Sequence, residues 1–185
     1  MHHIWQRGRR TTFFKPQSPY LTTMIGIMAD THDHIEAMQR AVNLFNDKKV
    51  SMVIHGGDLV SPFSIEPLKK LNVPIKYVYG NNERERDRIK RKGEGMDVEI
   101  GDCLEIEYKN IKIVVYHGEN QVILNALITC KEYDVVVTAH SHQPEVSNEE
   151  GVLIINPGEV CGYLTGRKTV AILDAEKLEA EIHEI

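Results

Sequence analysis

The sequence predicts an α/β domain built as two packed sheets with helices on their outer faces. Three observations carry this. From Met24 to Lys92, short apolar runs alternate with segments of helical period, the β-α-β-α-β order of parallel strands joined by right-handed crossovers. Beyond Leu104 the runs pair around short polar turns, which reads as hairpins and a second sheet. Five of the apolar runs end in Asp, Asn or His, and α/β sheets gather ligands outside the carboxyl ends of their strands.

In chain order, Met24 to Ala29 is a continuous apolar run, expected for a buried strand, and it ends in Asp30-Thr31-His32. Asp33 is expected to cap a helix, with Glu36 as its capping-box partner. Ile35, Met38, Ala41, Val42 and Phe45 then fall on one face, giving an amphipathic helix to about Asn46. Ser51 to His55 is a second strand, followed by Gly56-Gly57-Asp58, where the glycines permit a tight turn and a close backbone approach. Ser61 and Pro62 fit an N-cap and first helical position, and Pro67 divides the segment into a short turn and a helix to Leu71. Ile75 to Tyr79 is a third strand, ending in Gly80-Asn81-Asn82. The charged stretch Glu83 to Lys92 reads as a solvated helix with Glu83–Arg86 and Asp87–Arg91 pairs.

Leu104, Ile106 and Tyr108 alternate with charged residues, and Lys109-Asn110 turns the chain into a strand from Ile111 to Tyr116 that ends in His117. Gln121 to Cys130 is helical. Val135 to Ala139 is an apolar, β-branched strand that stops at His140-Ser141-His142. A hairpin is expected around Asn148 to Gly151, a sharp break at Asn156-Pro157-Gly158, and a closing hairpin of Thr169–Leu173 with Leu178–Ile182.

Composition narrows the function classes. With 185 residues, 42% hydrophobic and 26% charged, the chain can bury one sizeable core. Residues 24–185 are expected to form that domain. Met1 to Thr23, basic and without apolar periodicity, is expected to be a disordered extension or a mis-called start, with Met24 the true first residue. There is no apolar run of membrane-spanning length. A net charge of -5 argues against a dedicated nucleic-acid surface. Three cysteines without a C-x-x-C fit a reducing cytoplasm, each expected as a small buried hydrophobe.

The strand-end residues are Asp30 with His32, Asp58, Asn81, His117, and His140 with His142. Singly, each is ordinary turn chemistry. Together they supply two carboxylates, one amide oxygen and four imidazoles without a thiolate. That is too many donors for one tetrahedral zinc, and it suits two divalent cations of borderline or hard character. Two cations at close range need a bridging negative charge, and Asp58, from a mid-chain strand, is the natural choice.

The series D-T-H (30–32), G-G-D-L-V (56–60), G-N-N-E (80–83), Y-H-G (116–118) and A-H-S-H (139–142) resembles the five-motif pattern of the calcineurin-like metallophosphoesterases. The THDH start and the late N-P-G (156–158) resemble the small prokaryotic phosphodiesterases of that superfamily. The resemblance implies a four-layer α/β/β/α sandwich of two mixed sheets. It implies a first metal on Asp30, His32 and His142, a second on Asn81, His117 and His140, and Asp58 between them. His140 and His142, neighbours but for Ser141, would then serve different metals. It further implies phosphodiester hydrolysis by a hydroxide bridging the two metals, with manganese the first expectation and nickel, iron or zinc compatible with the same donors. Without room for a cap, the site is expected to be open and the specificity broad toward small or activated diesters. Phosphomonoester hydrolysis, or a protein-binding scaffold on the same fold, are the alternatives, and exposed edges of the closing hairpin suit a homodimer.

One residue departs from the pattern. Where the family often carries a histidine after the motif asparagine, this chain has Asn82, which can donate a hydrogen bond but supplies no proton near neutral pH. His34 is expected on the surface at the helix start. His55 is expected to support the glycine turn rather than bind metal.

Overall fold

The computed structural model describes residues 22–185. The basic stretch Met1 to Thr23 lies outside them apart from its last two residues, Thr22 and Thr23. Two sheets face each other. The first has six strands in the order β11-β10-β1-β2-β3-β4, the second five in the order β5-β6-β7-β9-β8. Their ranges are β1 Met24–Met28, β2 Met52–His55, β3 Ile75–Val78, β4 Val98–Gly101, β5 Cys103–Tyr108, β6 Ile111–Tyr116, β7 Val135–Val137, β8 Pro144–Glu149, β9 Val152–Pro157, β10 Thr169–Asp174 and β11 Glu179–Glu184. β1 to β4 are mutually parallel, as are β6, β7 and β9, and hairpin partners run antiparallel at the edges. Both sheets are therefore mixed, as expected.

Period-two patterning sorts the core. Ile25 and Ile27 of β1 and Ile54 of β2 meet Leu104, Ile106, Ile113, Val115, Val135 and Val137 between the sheets. The other faces of β1 to β3 pack against helix α1 (Ile35–Asp47), the 3₁₀ segment Pro62–Lys70 and helix α2 (Arg86–Lys92). Helix α3 (Gln121–Thr129) covers the outer face of the second sheet through Leu124, Leu127 and Ile128 over Val114, Val136 and Val152. This is the four-layer α/β/β/α order.

The structure corrects several local expectations. The α1 cap is His34, whose Nδ1 accepts from the Ala37 N–H at 3.3 Å; Asp33 instead receives Ser61 N and Oγ and Ser64 Oγ. Ile35 lies at the exposed margin of α1, while Met38, Ala41, Val42 and Phe45 are fully buried. Residues Pro62 to Lys70 form one continuous 3₁₀ run that contains Pro67, because i to i+3 bonding spares the carbonyl that an α-helical proline would strike. Strand β4, hidden in a polar sequence with alternate half-exposed residues, adds the parallel edge beside β3. The charged stretch is helical only from Arg86, and its ion pairs are Arg86–Asp102, Arg88–Glu85 and Lys92–Glu66 rather than the expected ones. Cys103 and Cys130 are exposed; only Cys161 is the buried hydrophobe expected of all three.

Candidate metal centre

Every strand that runs toward the site stops at the same end of the two sheets. Asp30 follows β1, Asp58 follows β2, Asn81 follows β3, His117 follows β6, and His140 and His142 follow β7. Backbone bonds tie these loops together: Asp30 N–H donates to Gly57 O, His32 N–H to Asp58 O, and Ala139 N–H to His117 O, at 3.0, 3.0 and 2.8 Å. Five of the seven strand-end residues hold left-handed backbone: Asp30, His32, Asp58, His140 and His142, with φ of 49°, 39°, 57°, 64° and 61°. Val60, β-branched, holds φ 80° in the loop after Asp58. Non-glycine residues in this region cost on the order of 1–3 kcal/mol each and cluster where a site imposes them. The glycines are needed for contact as well. At Gly57 (φ 107°) a Cβ would lie 2.6 Å from His117 Nδ1, and at Gly80 it would collide with the Asp58 carboxylate.

The seven residues form two adjoining clusters around Asp30 and Asp58. In one, His142 Nε2 is 3.4 Å and His32 Nε2 3.9 Å from Asp30 Oδ1, and the two rings stack with centroids 5.2 Å apart. In the other, His117 Nε2 is 3.1 Å from Asn81 Oδ1 and 3.6 Å from Asp58 Oδ2, with the His140 ring edge-on to His117 at 5.2 Å. His32 Nε2, 3.5 Å from Asp58 Oδ2, joins the two. Asn81, Asn82 and His140 are exposed, so the site opens to solvent.

The chemistry of these contacts fits cations. His117 Nδ1 lies 2.8 Å from the Gly56 carbonyl, which only accepts, so Nδ1 carries a proton and Nε2 is the atom that faces Asn81 Oδ1 and Asp58 Oδ2. His142 Nδ1 is likewise engaged by the Glu159 carboxylate at 2.7 Å, which turns Nε2 toward Asp30. Asp30 Oδ1 and His32 Nε2 are buried with no hydrogen-bond partner, an arrangement that costs free energy unless a positive charge satisfies it. Asp30 with His32 and His142, and Asp30 with Asp58 and His117, each place donor atoms within 4.8 Å of one another.

Electrostatics agree. Burial first, and then the Asp58 charge, push the Asp30 carboxyl up to about 8. Burial also pulls Asp58 upward, but the His117 ring and two hydrogen bonds from Asn82 outweigh it and hold Asp58 below the usual range. An acid raised in the folded state contributes stability while protonated, fully present below its ordinary value of 3.8 and lost as pH rises through about 8. The melting temperature of chelator-treated protein is therefore expected to fall as pH rises toward 8, and divalent metal to restore it. A flat profile without metal would contradict this.

Residues around the clusters hold them in place. Burial lowers the His55 ring to about 3, so it is neutral: Nδ1 accepts from the Gly57 N–H, and Nε2 meets Thr31 Oγ1, which donates to Asp58 O. His55 thus supports the glycine turn, as expected. Asn82 is bound to Asp58 twice, backbone N–H to Oδ1 at 2.9 Å and Nδ2 to Oδ2 at 2.6 Å. Ser141 does more than space two histidines: its Oγ accepts from Asn156 Nδ2, which also donates to Ala139 O and braces the loop.

Two residues were missed by sequence reasoning. Glu83 is buried and receives Leu59 N–H, Tyr77 O–H and Gly80 N–H at 2.5, 2.6 and 2.8 Å, cross-linking the loops of Asp58 and Asn81. Its place in G-N-N-E was visible, but the charged run behind it suggested a solvated face. Glu159 is fully buried and accepts from His142, Cys161 and the Tyr163, Leu164 and Thr165 N–H groups. The sharp turn before it was the only signal.

The fold and this cluster define a metallophosphoesterase: residues 24–178 match the calcineurin-like phosphoesterase superfamily domain, and the chain belongs to that family. Among its relatives is the phosphodiesterase MJ0936 of Methanocaldococcus jannaschii, 44% identical over 157 residues that span 84% of this chain and 95% of the relative. A solved archaeal phosphodiesterase superimposes with a TM-score of 0.84 at 41% identity, covering 88% of this chain and 99% of its own. The fold is also shared with the Vps29 protein of Entamoeba histolytica crystallised with zinc, at TM-score 0.65 and 19% identity over 87% of this chain and 91% of that one. Family membership makes the protein a hydrolase of phosphoester bonds that uses divalent metal. Among the described residues, no helix is long and apolar enough to cross a membrane.

Proposed function

We propose that the protein is a two-metal phosphodiesterase of broad specificity toward small or activated diesters. The observation that supports it most is the convergence of metal-ligand side chains, Asp30, His32 and His142 on one side and Asn81 and His117 on the other, with Asp30 Oδ1 and His32 Nε2 buried without a hydrogen-bond partner. In this reading Asp30, His32 and His142 hold one cation, Asn81, His117 and His140 hold the other, and Asp58 is shared. When bound, the cations lower the pKa of water to supply a nucleophile and neutralise charge on the phosphate oxygens. The protein's part is positional: Glu159 and Gly56 O fix the two ring orientations, and Asn82 fixes the Asp58 carboxylate. Manganese is the first choice of metal, with nickel, iron or zinc accepted by the same donors. A cytoplasmic location and a homodimer across the β11 edge remain part of the proposal. The test is turnover of bis-p-nitrophenyl phosphate with added manganese against the same protein in chelator. Turnover only with metal is expected. No metal-dependent turnover of this diester or of p-nitrophenyl phosphate would favour the scaffold reading.

Asn82 sets the leaving-group limit. Its amide donates to Asp58 and has no proton to give, so diesters with poor leaving groups are expected to turn over slowly. General acid catalysis is worth roughly 10²–10⁴-fold. Asn82→His is expected to recover part of this for an alkyl diester while changing nitrophenyl turnover little. Unchanged or lower alkyl turnover would contradict the assignment.

A further inference from the structure

We propose that Tyr163, Leu164 and His34 form a shelf that holds a planar apolar substituent of the substrate phosphate, an aryl ring or a nucleobase, beside the Asp30–His32–His142 cluster. The proposal rests on the phosphodiesterase reading and names its substrate class.

The stretch G-Y-L-T-G (162–166) is anomalous for a surface loop. Two bulky apolar residues sit between two glycines that both turn with positive φ, 69° and 75°. Tyr163 and Leu164 are 63% and 73% exposed. An apolar pair at a loop tip gains nothing from the fold in that position. A loose loop would let both side chains collapse onto the surface, but this loop is fixed. The N–H groups of Tyr163, Leu164 and Thr165 all donate to the Glu159 carboxylate, at 3.0, 3.0 and 2.6 Å, and Thr165 Oγ1 adds a bond at 2.7 Å. The anchor is fully buried, and its Oε2 is the oxygen that engages His142 Nδ1. The loop is therefore one carboxylate away from the cluster.

The other end is pinned independently. The Tyr163 ring stacks on His34 with centroids 5.8 Å apart and planes at 29°. His34 caps α1 through Nδ1 and stands two residues after His32. Glu159, which also engages His142, fixes the backbone of the shelf, and His34, in the chain segment of His32, stacks on its ring. The shelf is thus tied to the cluster from two directions, and in this proposal it meets the substituent of a phosphate bound there. Tyr163 stays 63% exposed beside that stack, and stacking on a π-face tolerates any planar partner. The occupant is thus a ring attached to the phosphate rather than a second protein chain, because the anchoring leads to the cluster on both sides.

The test uses full-length, manganese-loaded protein titrated calorimetrically with methyl phosphate, phenyl phosphate and thymidine 5′-monophosphate. Wild type is expected to bind the two ring-bearing esters about tenfold more tightly than methyl phosphate. A preference for phenyl phosphate alone assigns an aryl group, and one for the nucleotide assigns a base; either supports the shelf. In Tyr163→Ala the ratio of ring-bearing to methyl ester affinity is expected to collapse to about one, and in Tyr163→Phe to persist. Leu164→Ala is expected to reduce it partially. Both positions are exposed, so unchanged circular dichroism is expected in all variants. An unchanged ratio in Tyr163→Ala would overturn the shelf and leave the phosphodiesterase reading standing. Failure of all three esters to bind metal-loaded wild type would also overturn the shelf, and loss of metal-dependent bis-p-nitrophenyl phosphate turnover would overturn the phosphodiesterase reading.

Discussion

Asp58→Asn is expected to abolish metal-dependent diester hydrolysis, a loss of roughly 10²–10³-fold or more. Asp58 reaches both clusters, 3.5 Å from His32 Nε2 and 3.6 Å from His117 Nε2. It is also the acid the fold keeps ionised: burial raises it, but His117 and Asn82 reverse that, while its neighbour Asp30 is pushed up to about 8. An amide of the same size removes the negative charge that would let two cations approach each other, while filling the same volume. The measurement is turnover of bis-p-nitrophenyl phosphate over a range of manganese concentrations, with circular dichroism to confirm folding. Activity within tenfold of wild type at saturating metal would show that Asp58 is not shared between metals.

Glu159→Ala is expected to be the most destabilising single change at the site, by about 3 kcal/mol. The substitution leaves buried donors from His142 and Cys161, and three backbone N–H groups, without their acceptor. Glu159→Gln keeps the shape but turns an N–H₂ toward donors, and it is expected to weaken metal affinity about 10–100-fold by freeing the His142 ring. The carboxylate also predicts an acid limb. Burial alone would raise it, yet the bonds from His142, Thr165 and Cys161 hold it at about 2, against an ordinary 4.5. A depressed acid contributes stability above its unfolded value, and that contribution is lost as pH falls through about 2. Wild-type melting temperature is expected to drop between these values and the Glu159→Gln profile to be flatter. Equal slopes would contradict the role.

The strand ends were legible because two physical rules overlap there: apolar runs mark buried strands, and ligands collect at their carboxyl ends. Five runs stopping at Asp, Asn or His therefore marked the site in the sequence itself. The parallel order of β1 to β3 and the hairpins were legible for the same reason, since patterning and turn residues agreed. What escaped was whatever depends on three dimensions. Strand β4 is an edge with mixed polarity, so no period announces it. Glu83 and Glu159 are carboxylates turned inward by backbone N–H groups from loops that meet only in the fold. Asp33 looked like a helix cap and was taken by Ser61 and Ser64, 28 and 31 residues away, which left the cap to His34. The left-handed backbone at Asp30, Asp58 and His142 has only a weak sequence mark: Asp and His adopt it more readily than most residues, but glycine is the one expected there.

If seven side chains from five strand ends hold two cations, the number of ions bound per chain must show it. Chelator-stripped protein titrated with manganese by calorimetry, with bound metal counted by elemental analysis, is expected to take up two ions per chain. Asp58→Asn is expected to lower that number. A wild-type protein that saturates at one ion, or binds none, would contradict the two-metal reading.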